Sequence, residues 1–360
     1  MDVHGRPIIL PANYSQYSPG PGANCPGGDC YGDPMAVDCG GCAEEQCGPH
    51  FFDVSAQVVF LKGEDLFEGI QPFSSDGIGF TQPKFLSPAG ASGDHEPGWE
   101  IAVRYDLGAL SFFEATYMGL YDMGFNEQVT SLGVTDPPLN FRLESVFSAY
   151  GTNLAVFPIA GVDDGSVHAL SYNADLQSTE LSFRRYWVGN NTRVSGTLLM
   201  GFRYLRFTED FAFNTEALVV SAVDTASRRW ESENDLLGFQ VGGDGWICLR
   251  QGLRLGTEAK AGIYNNRFKF GNSADVPDPS DDFASVTKGN QIAFAAQSSI
   301  DLVADILPSF SIRCGYQALY MSSLAMVGDN IDTSDYFSNT AFSQGHALYH
   351  GFQGGLEYIW

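Results

Sequence analysis

Along most of this chain apolar and polar residues alternate one by one, the period of a β-strand with a single apolar face. Phe52, Val54, Ala56, Val58 and Phe60 alternate with Asp53, Ser55 and Gln57. Trp99, Ile101, Val103, Tyr105 and Leu107 alternate with Glu100, Ala102, Arg104 and Asp106. The same rhythm returns over 194–204, 253–263, 310–320 and 352–360, and more weakly near 110–121, 169–184, 235–247 and 291–304. No stretch shows 3.6-residue periodicity, so the pattern predicts about ten strands and no amphipathic helix. Four connections are short (106–109, 188–192, 248–251 and 306–309) and five are long (62–98, 122–168, 209–234, 266–290 and 322–345). They alternate, which in an antiparallel meander gathers the tight turns on one rim and the long loops on the other.

A soluble barrel or sandwich also alternates, with its apolar face turned inward. Two features favour the opposite orientation here. Many strands reach the ~9–11 residues that cross a bilayer at a tilt, where soluble strands usually stop near 5–6. The asymmetry of short turns and long loops is also that of outer-membrane barrels. The final strand sharpens this. Phe352, Leu356, Tyr358 and the last residue Trp360 share one face, a spacing that resembles the signal read by the outer-membrane barrel assembly machinery. Such an ending also occurs in soluble β proteins. The expected fold is all-β: a transmembrane antiparallel up-and-down β-barrel of about ten strands, with twelve as the alternative count, and long extracellular loops. Trp99, Tyr121, Trp187, Tyr320, Tyr358 and Trp360 are candidates for interfacial girdles.

Composition changes the picture in three ways. The 360 residues carry 19 basic and 43 acidic side chains, a formal net charge of −24, which disfavours nucleic acid and anionic surfaces as partners. Only 17% of residues are charged while 44% are hydrophobic, as expected if half of each strand must exclude charge. No apolar run is long enough for a transmembrane helix, and no basic and apolar leader is visible in residues 1–22, so the expected outer-membrane location rests on the barrel pattern. Residues 1–50 stand apart as a periplasmic arm before a barrel at 51–360. The arm holds Cys25, Cys30, Cys39, Cys42 and Cys47, five of the seven cysteines. Disulfides, a zinc site at Cys39-x2-Cys42-x4-Cys47-x2-His50 and free thiols are alternatives for it. Cys248 and Cys314 read as small buried or lipid-facing residues.

Several segments together resemble a known family. They are RLESVFSAYG at 142–151, LSYNADLQSTELSFRRYW at 170–187, GFRYLRFTEDF at 201–211, NDLLGFQVGG at 234–243, AKAGIYNN at 259–266, GYQALY at 315–320 and HGFQGGLEYIW at 350–360. In this order and spacing the chain is similar to the planctomycete outer-membrane proteins grouped as β-barrel porin family seven. The resemblance spans about residues 51–360. It implies an outer-membrane barrel of a Gram-negative-type envelope, with no catalytic residues.

Three groups of residues are candidates for function. Arg104, Glu114, Glu180, Arg203, Arg254, Glu258, Lys260, Asp301, Arg313 and Glu357 fall on the inward face, either as an ion-selecting pore lining or as the ion-paired filling of a narrow barrel. Asp329, Asp332 and Asp335, with the run 275–282, concentrate carboxylates on the outer rim, either as solvated loop or as a weak calcium site. His95, His168, His346, Asp210 and Asp235 lie near strand tops, where proteases of the omptin kind pair Asp with His, but no spacing singles out a pair. The leading expectation is a narrow porin or channel for ions or small solutes. The alternative is a non-conducting envelope scaffold or surface adhesin acting through long acidic loops, and an omptin-like protease is the remote one. No enzyme activity and no cofactor are expected. The expected partners are outer-membrane lipid, the barrel assembly machinery, and envelope components reached by the arm.

Overall fold

The computed structural model describes residues 52–359 apart from 65, 89–94, 109, 132–141, 189–193, 220–221, 251, 308, 335 and 338–342. The arm with its five cysteines, Asp335 and Trp360 therefore lie outside the described residues. Thirteen strands form one sheet: β1 (Phe52–Glu64), β2 (Ser74–Asp76), β3 (Lys84–Phe85), β4 (Glu96–Gly108), β5 (Ser111–Thr130), β6 (Leu143–Ser145), β7 (Gly165–Val188), β8 (Val194–Val219), β9 (Ala222–Arg250), β10 (Leu253–Asp275), β11 (Phe283–Leu307), β12 (Phe310–Leu324) and β13 (Gly345–Ile359).

Ten of these strands close on themselves. Each pairs antiparallel with the next, and the first strand, β1, is flanked by β4 on one side and by the last strand, β13, on the other, so no barrel edge is left unpaired. Closure satisfies every ladder N–H and C=O without help from solvent. The short strands β2, β3 and β6 add onto the outer end of β7. The short turns cluster on the rim that also holds both barrel termini. There Arg250 pairs with Leu253 across a turn in which Gly252 takes φ +72°, a left-handed conformation that costs glycine least.

Two of the five expected long loops are strand instead. Segment 209–234 is the upper part of β8 and β9, whose ladder runs unbroken from Val194↔Ile247 to Val219↔Ala222. Segment 266–290 is mostly β10 and β11, joined by a loop over 276–282. In β5 the alternation breaks at Tyr121–Asp122, where the ladder to β7 shifts register and Asp122 takes φ +55°. Strand pairing then resumes to Thr130, so part of 122–168 is strand as well.

The misreading has a physical cause, because the period persists but its polarity inverts. In the lower half of β8 the outward residues are Leu198, Met200, Phe202 and Tyr204, all exposed, and the inward ones include Thr197 and Arg203. Above Tyr204 the outward residues are Arg206, Thr208, Asp210 and Asn214, while Phe207, Phe211 and Phe213 are buried inward. β9 changes between Leu237 and Asp235, and β10 between Ile263 and Asn265. The result is an apolar belt around the lower barrel, including Phe52, Val58, Ile101, Leu181, Phe239, Ile300, Phe352 and Leu356, and a polar-walled tower above it. Such a belt is stable only against hydrocarbon. Trp99, Tyr121, Trp187, Tyr320 and Tyr358 all face outward on it.

A charge placed mid-belt should therefore behave unlike one placed on the tower. Met200→Arg is expected to lower unfolding free energy in lipid vesicles by about 2–4 kcal/mol. Thr208→Arg, eight residues along the same strand, should stay within about 0.5 kcal/mol. Urea titration followed by tryptophan fluorescence checks both.

Candidate functional site

The lumen is the candidate site, and side chains fill it in two layers. Strand alternation points all ten of the expected interior residues inward at belt level, where Glu114, Glu180, Arg203, Arg254, Asp301 and Glu357 are buried. Eight of the ten join through ion pairs into one lattice, bridged by Arg184. Arg203 on β8 reaches Glu180 on β7 at 3.2 Å, and Lys260 on β10 reaches the same carboxylate at 3.1 Å. Lys260 continues to Glu258 at 3.7 Å. Arg184 on β7 then spans the lumen, meeting Glu258 on β10 and Glu114 on β5 at 2.6 Å each and Asp244 on β9 at 2.9 Å. Glu114 passes the chain to Arg104 on β4 at 2.6 Å. Arg104 binds Glu357 on β13 at 3.2 Å, which in turn takes Arg254 at 3.3 Å. Arg313 and Asp301 form a separate pair at 2.8 Å, joined by Gln353. The indole of Trp246 lies under the guanidinium groups of Arg254 and Arg313.

Two central members, Arg184 and Asp244, escaped the sequence reading. Arg184 belongs to the doublet Arg184-Arg185, one of which must face out, and Asp244 sits in Gly242-Gly243-Asp244-Gly245, where glycines blur the alternation. Extending the parity of Glu180 and Ser182 along β7 would have placed Arg184 inside.

Above the lattice the filling is apolar. The connections around 66–88, 142–164 and 325–337 turn back into the barrel mouth. Phe67, Phe73 and Phe147 pack there against the wall residues Phe211, Phe213 and Trp230, all essentially without solvent exposure. Polar clasps hold this plug. Asn234 accepts from the Ala325 N–H at 2.7 Å and donates to the Ala325 carbonyl at 2.9 Å. Glu209 accepts from the Val327 N–H, the Ser232 hydroxyl and the Tyr172 hydroxyl. Asp163 accepts from two backbone N–H groups and two serine hydroxyls of its own segment.

Burial pushes the Glu209 carboxyl up to about 7, against the pull of its three donors. It also pushes Glu144 up to about 8, with the nearby Asp163 adding to the effect. His168 is held neutral by burial, its pKa lowered to about 4. Its Nε2 donates to the Val162 carbonyl at 2.8 Å, so Nδ1 accepts from the Ser74 hydroxyl at 2.9 Å.

The remaining candidates do not converge. Asp210 is engaged by Arg229, and Asp235 accepts from the Tyr204 hydroxyl at 2.5 Å. His95 lies tilted against the Phe352 ring, and His346 against Tyr320. Asp332 closes a local turn with the Ser334 N–H, and Asp278 does the same with Ser280. Among the described residues no group of three His, Cys, Asp or Glu side chains is placed to hold a metal ion. Phe352, Leu356 and Tyr358 face outward on the belt. Cys248 is disulfide-bonded rather than a small filler, whereas Cys314 is a free, exposed thiol on the belt.

No protein-family model matches the chain, and no curated protein matches it. Among solved structures it is similar to the outer-membrane protease OmpT from Escherichia coli, at 9% identity and a TM-score of 0.46, over 86% of this chain and 97% of that one. It is also similar to a major outer-membrane protein from Thermus thermophilus, at 10% identity and a TM-score of 0.31, over 87% and 100% of the two chains. A Pseudomonas aeruginosa FadL homologue matches at 10% identity and a TM-score of 0.26, over 86% and 89%. Likenesses this distant say nothing about what this chain does.

Two outcomes follow from the two layers. Arg184→Met strips the cation shared by Glu114, Asp244 and Glu258 and should destabilise the barrel by about 3–5 kcal/mol. Arg206→Met, in a half-exposed pair with Glu233, should cost no more than about 1 kcal/mol. For Glu209 the folded-state value, about 7, lies above the ordinary 4.5, so the fold prefers the protonated acid. Its contribution is complete below about pH 4.5 and is lost as pH rises through 7. The protection factor of the Val327 amide, its exchange relative to the intrinsic rate at each pH, should fall over that window, and Glu209→Gln should flatten the dependence.

Proposed function

We propose that this chain is a non-conducting outer-membrane barrel that works at its outer surface, as an envelope scaffold or adhesin. The observation that carries the reading is the doubly filled lumen. At belt level Arg184 bridges from β7 to β5, β9 and β10, and above it an aromatic plug closes the mouth. Ten strands enclose little more than the space such side chains occupy. A narrow channel, the other expectation, needs a path through both layers. The membrane reading rests on the apolar belt and the closed ladder, since an exposed band of this kind is unfavourable in water. The short-turn rim then faces the periplasm and the tower faces outward.

The tower supplies the working surface. Its outward positions include Glu216, Glu231, Asp275 and Asp281, displayed on or beside long paired strands instead of on loose loops. A stiff, acid-rich surface favours cationic or divalent-bridged envelope polymers as partners. No enzyme activity is part of this reading, because the His and Asp candidates are spent on structural contacts. The likeness of about residues 51–360 to the planctomycete porin family seven is consistent with the outer-membrane placement.

Reconstitution of the full-length protein into planar bilayers tests the reading, with a general porin as positive control. Electrical silence is expected. Reproducible unitary steps whose size changes in Glu258→Gln or Lys260→Gln would establish the narrow channel in its place. A chain that stays soluble and monomeric without detergent would remove the membrane reading altogether.

A further inference from the structure

The chain as a whole repels anions, yet one face of the barrel gathers cations just above the belt. Arg267 and Lys269 on β10 and Lys288 on β11 are exposed and point outward just above Ile263 and Ile292. Lys269 lies directly opposite Lys288 in the ladder, a like-charge pairing that costs stability unless an anion sits between. Among the described residues none of these three side chains has an ion pair or hydrogen bond. On the other side, Arg267 and Lys269 face Asp235 and Glu233 of β9. Those carboxylates are taken by the Tyr204 hydroxyl at 2.5 Å and by Arg206 at 2.6 Å.

A second, independent feature lies below the same hairpin. Ala259 and Ala261 on β10, Ala296 on β11 and Ala318 on β12 form the floor of a shallow trough in the belt, walled by Val241 and Leu348. Only a lipid chain or another membrane protein can reach that depth. The trough and the cations are in register, because Ala261 pairs with Ala296 and six residues further up β10 is Arg267. Six residues at about 3.4 Å span roughly 20 Å of strand, or about 15 Å along the normal at a ~40° tilt. Ile263 is the last apolar outward residue of β10, and Arg267 stands four residues above it, about 10 Å along the normal by the same reckoning, which brings the cations within side-chain reach of the headgroup layer just outside the ~30 Å hydrocarbon.

We infer that the outward face of the β10–β11 hairpin holds one anionic membrane lipid, its acyl chain in the alanine trough and its phosphate between Arg267, Lys269 and Lys288. The lipid phosphate supplies the counter-charge that the Lys269–Lys288 pairing lacks, and long basic side chains can bend toward the headgroup layer to meet it. The inference rests on the membrane reading above.

The test uses the full-length protein in detergent, exposed to equal amounts of phosphatidylglycerol and phosphatidylcholine and examined by native mass spectrometry. Wild type should retain phosphatidylglycerol about a hundredfold over phosphatidylcholine, each of the three cations near an anionic headgroup being worth a factor of about five. The variant Arg267→Gln/Lys269→Gln/Lys288→Gln should retain the two equally. Ala296→Phe, which fills the trough, should lower retention of phosphatidylglycerol while leaving the cations in place. Equal retention by wild type, or an unchanged preference in the triple variant, overturns the proposal. It is also overturned if inorganic phosphate alone, without lipid, displaces the bound phosphatidylglycerol, because the cluster is then a soluble-anion site. Heat-modifiable mobility shows that each variant is folded. Failure to recover wild type from the membrane fraction defeats the membrane reading itself, whereas a membrane-resident barrel without lipid preference defeats only this proposal.

Discussion

Ten strands enclose a lumen just narrow enough for long side chains on opposite walls to touch. Where the outer face meets hydrocarbon, a strand can keep its charged residues only by turning them inward, and there they must find partners at once. Arg184 shows the consequence, since its guanidinium is the meeting point of carboxylates from β5, β9 and β10. The same pairing pins the register. A slip of β7 by one residue would turn Glu180 and Arg184 into lipid and bring Leu181 into the lattice. Buried ion pairs of this kind add little net stability over apolar filling, so their weight here falls on specifying a single alignment of the wall.

Each level of the barrel has an interior opposite to its surroundings. At belt height the outside is apolar and the inside is ionic. In the tower the outside carries Arg206, Asp210 and Glu231, and the inside carries Phe207, Phe211 and Trp230. The strands run through both without interruption, so only the choice of residue at alternate positions changes. The plug segments follow from this. An aromatic wall facing an open mouth would be exposed to water, and Phe67, Phe73 and Phe147 cover it.

What the sequence reveals depends on how local the cause is. The belt strands are legible because lipid demands the same apolar character at every second residue, as in Phe52 to Phe60. The tower of β8 and β9 keeps the period but reverses its polarity, and a reader following outward apolar residues loses it at Tyr204. Arg184 and Asp244 are hidden by a charged doublet and by glycines. The plug is not legible at all, because Phe73 and Phe147 sit in aperiodic connections and acquire meaning only from Phe213 and Trp230, which lie far along the chain.

The long ladder between β8 and β9 also has a mechanical side. Its hydrogen bonds run across the strands from Val194↔Ile247 to Val219↔Ala222, and each strand is laddered again to β7 or β10. A pull on the β8–β9 tip along the strand direction therefore loads these neighbouring ladders in shear, so that many bonds resist together instead of parting one after another. Tension applied along these strands is therefore spread over the neighbouring ladders instead of unravelling the hairpin from its tip.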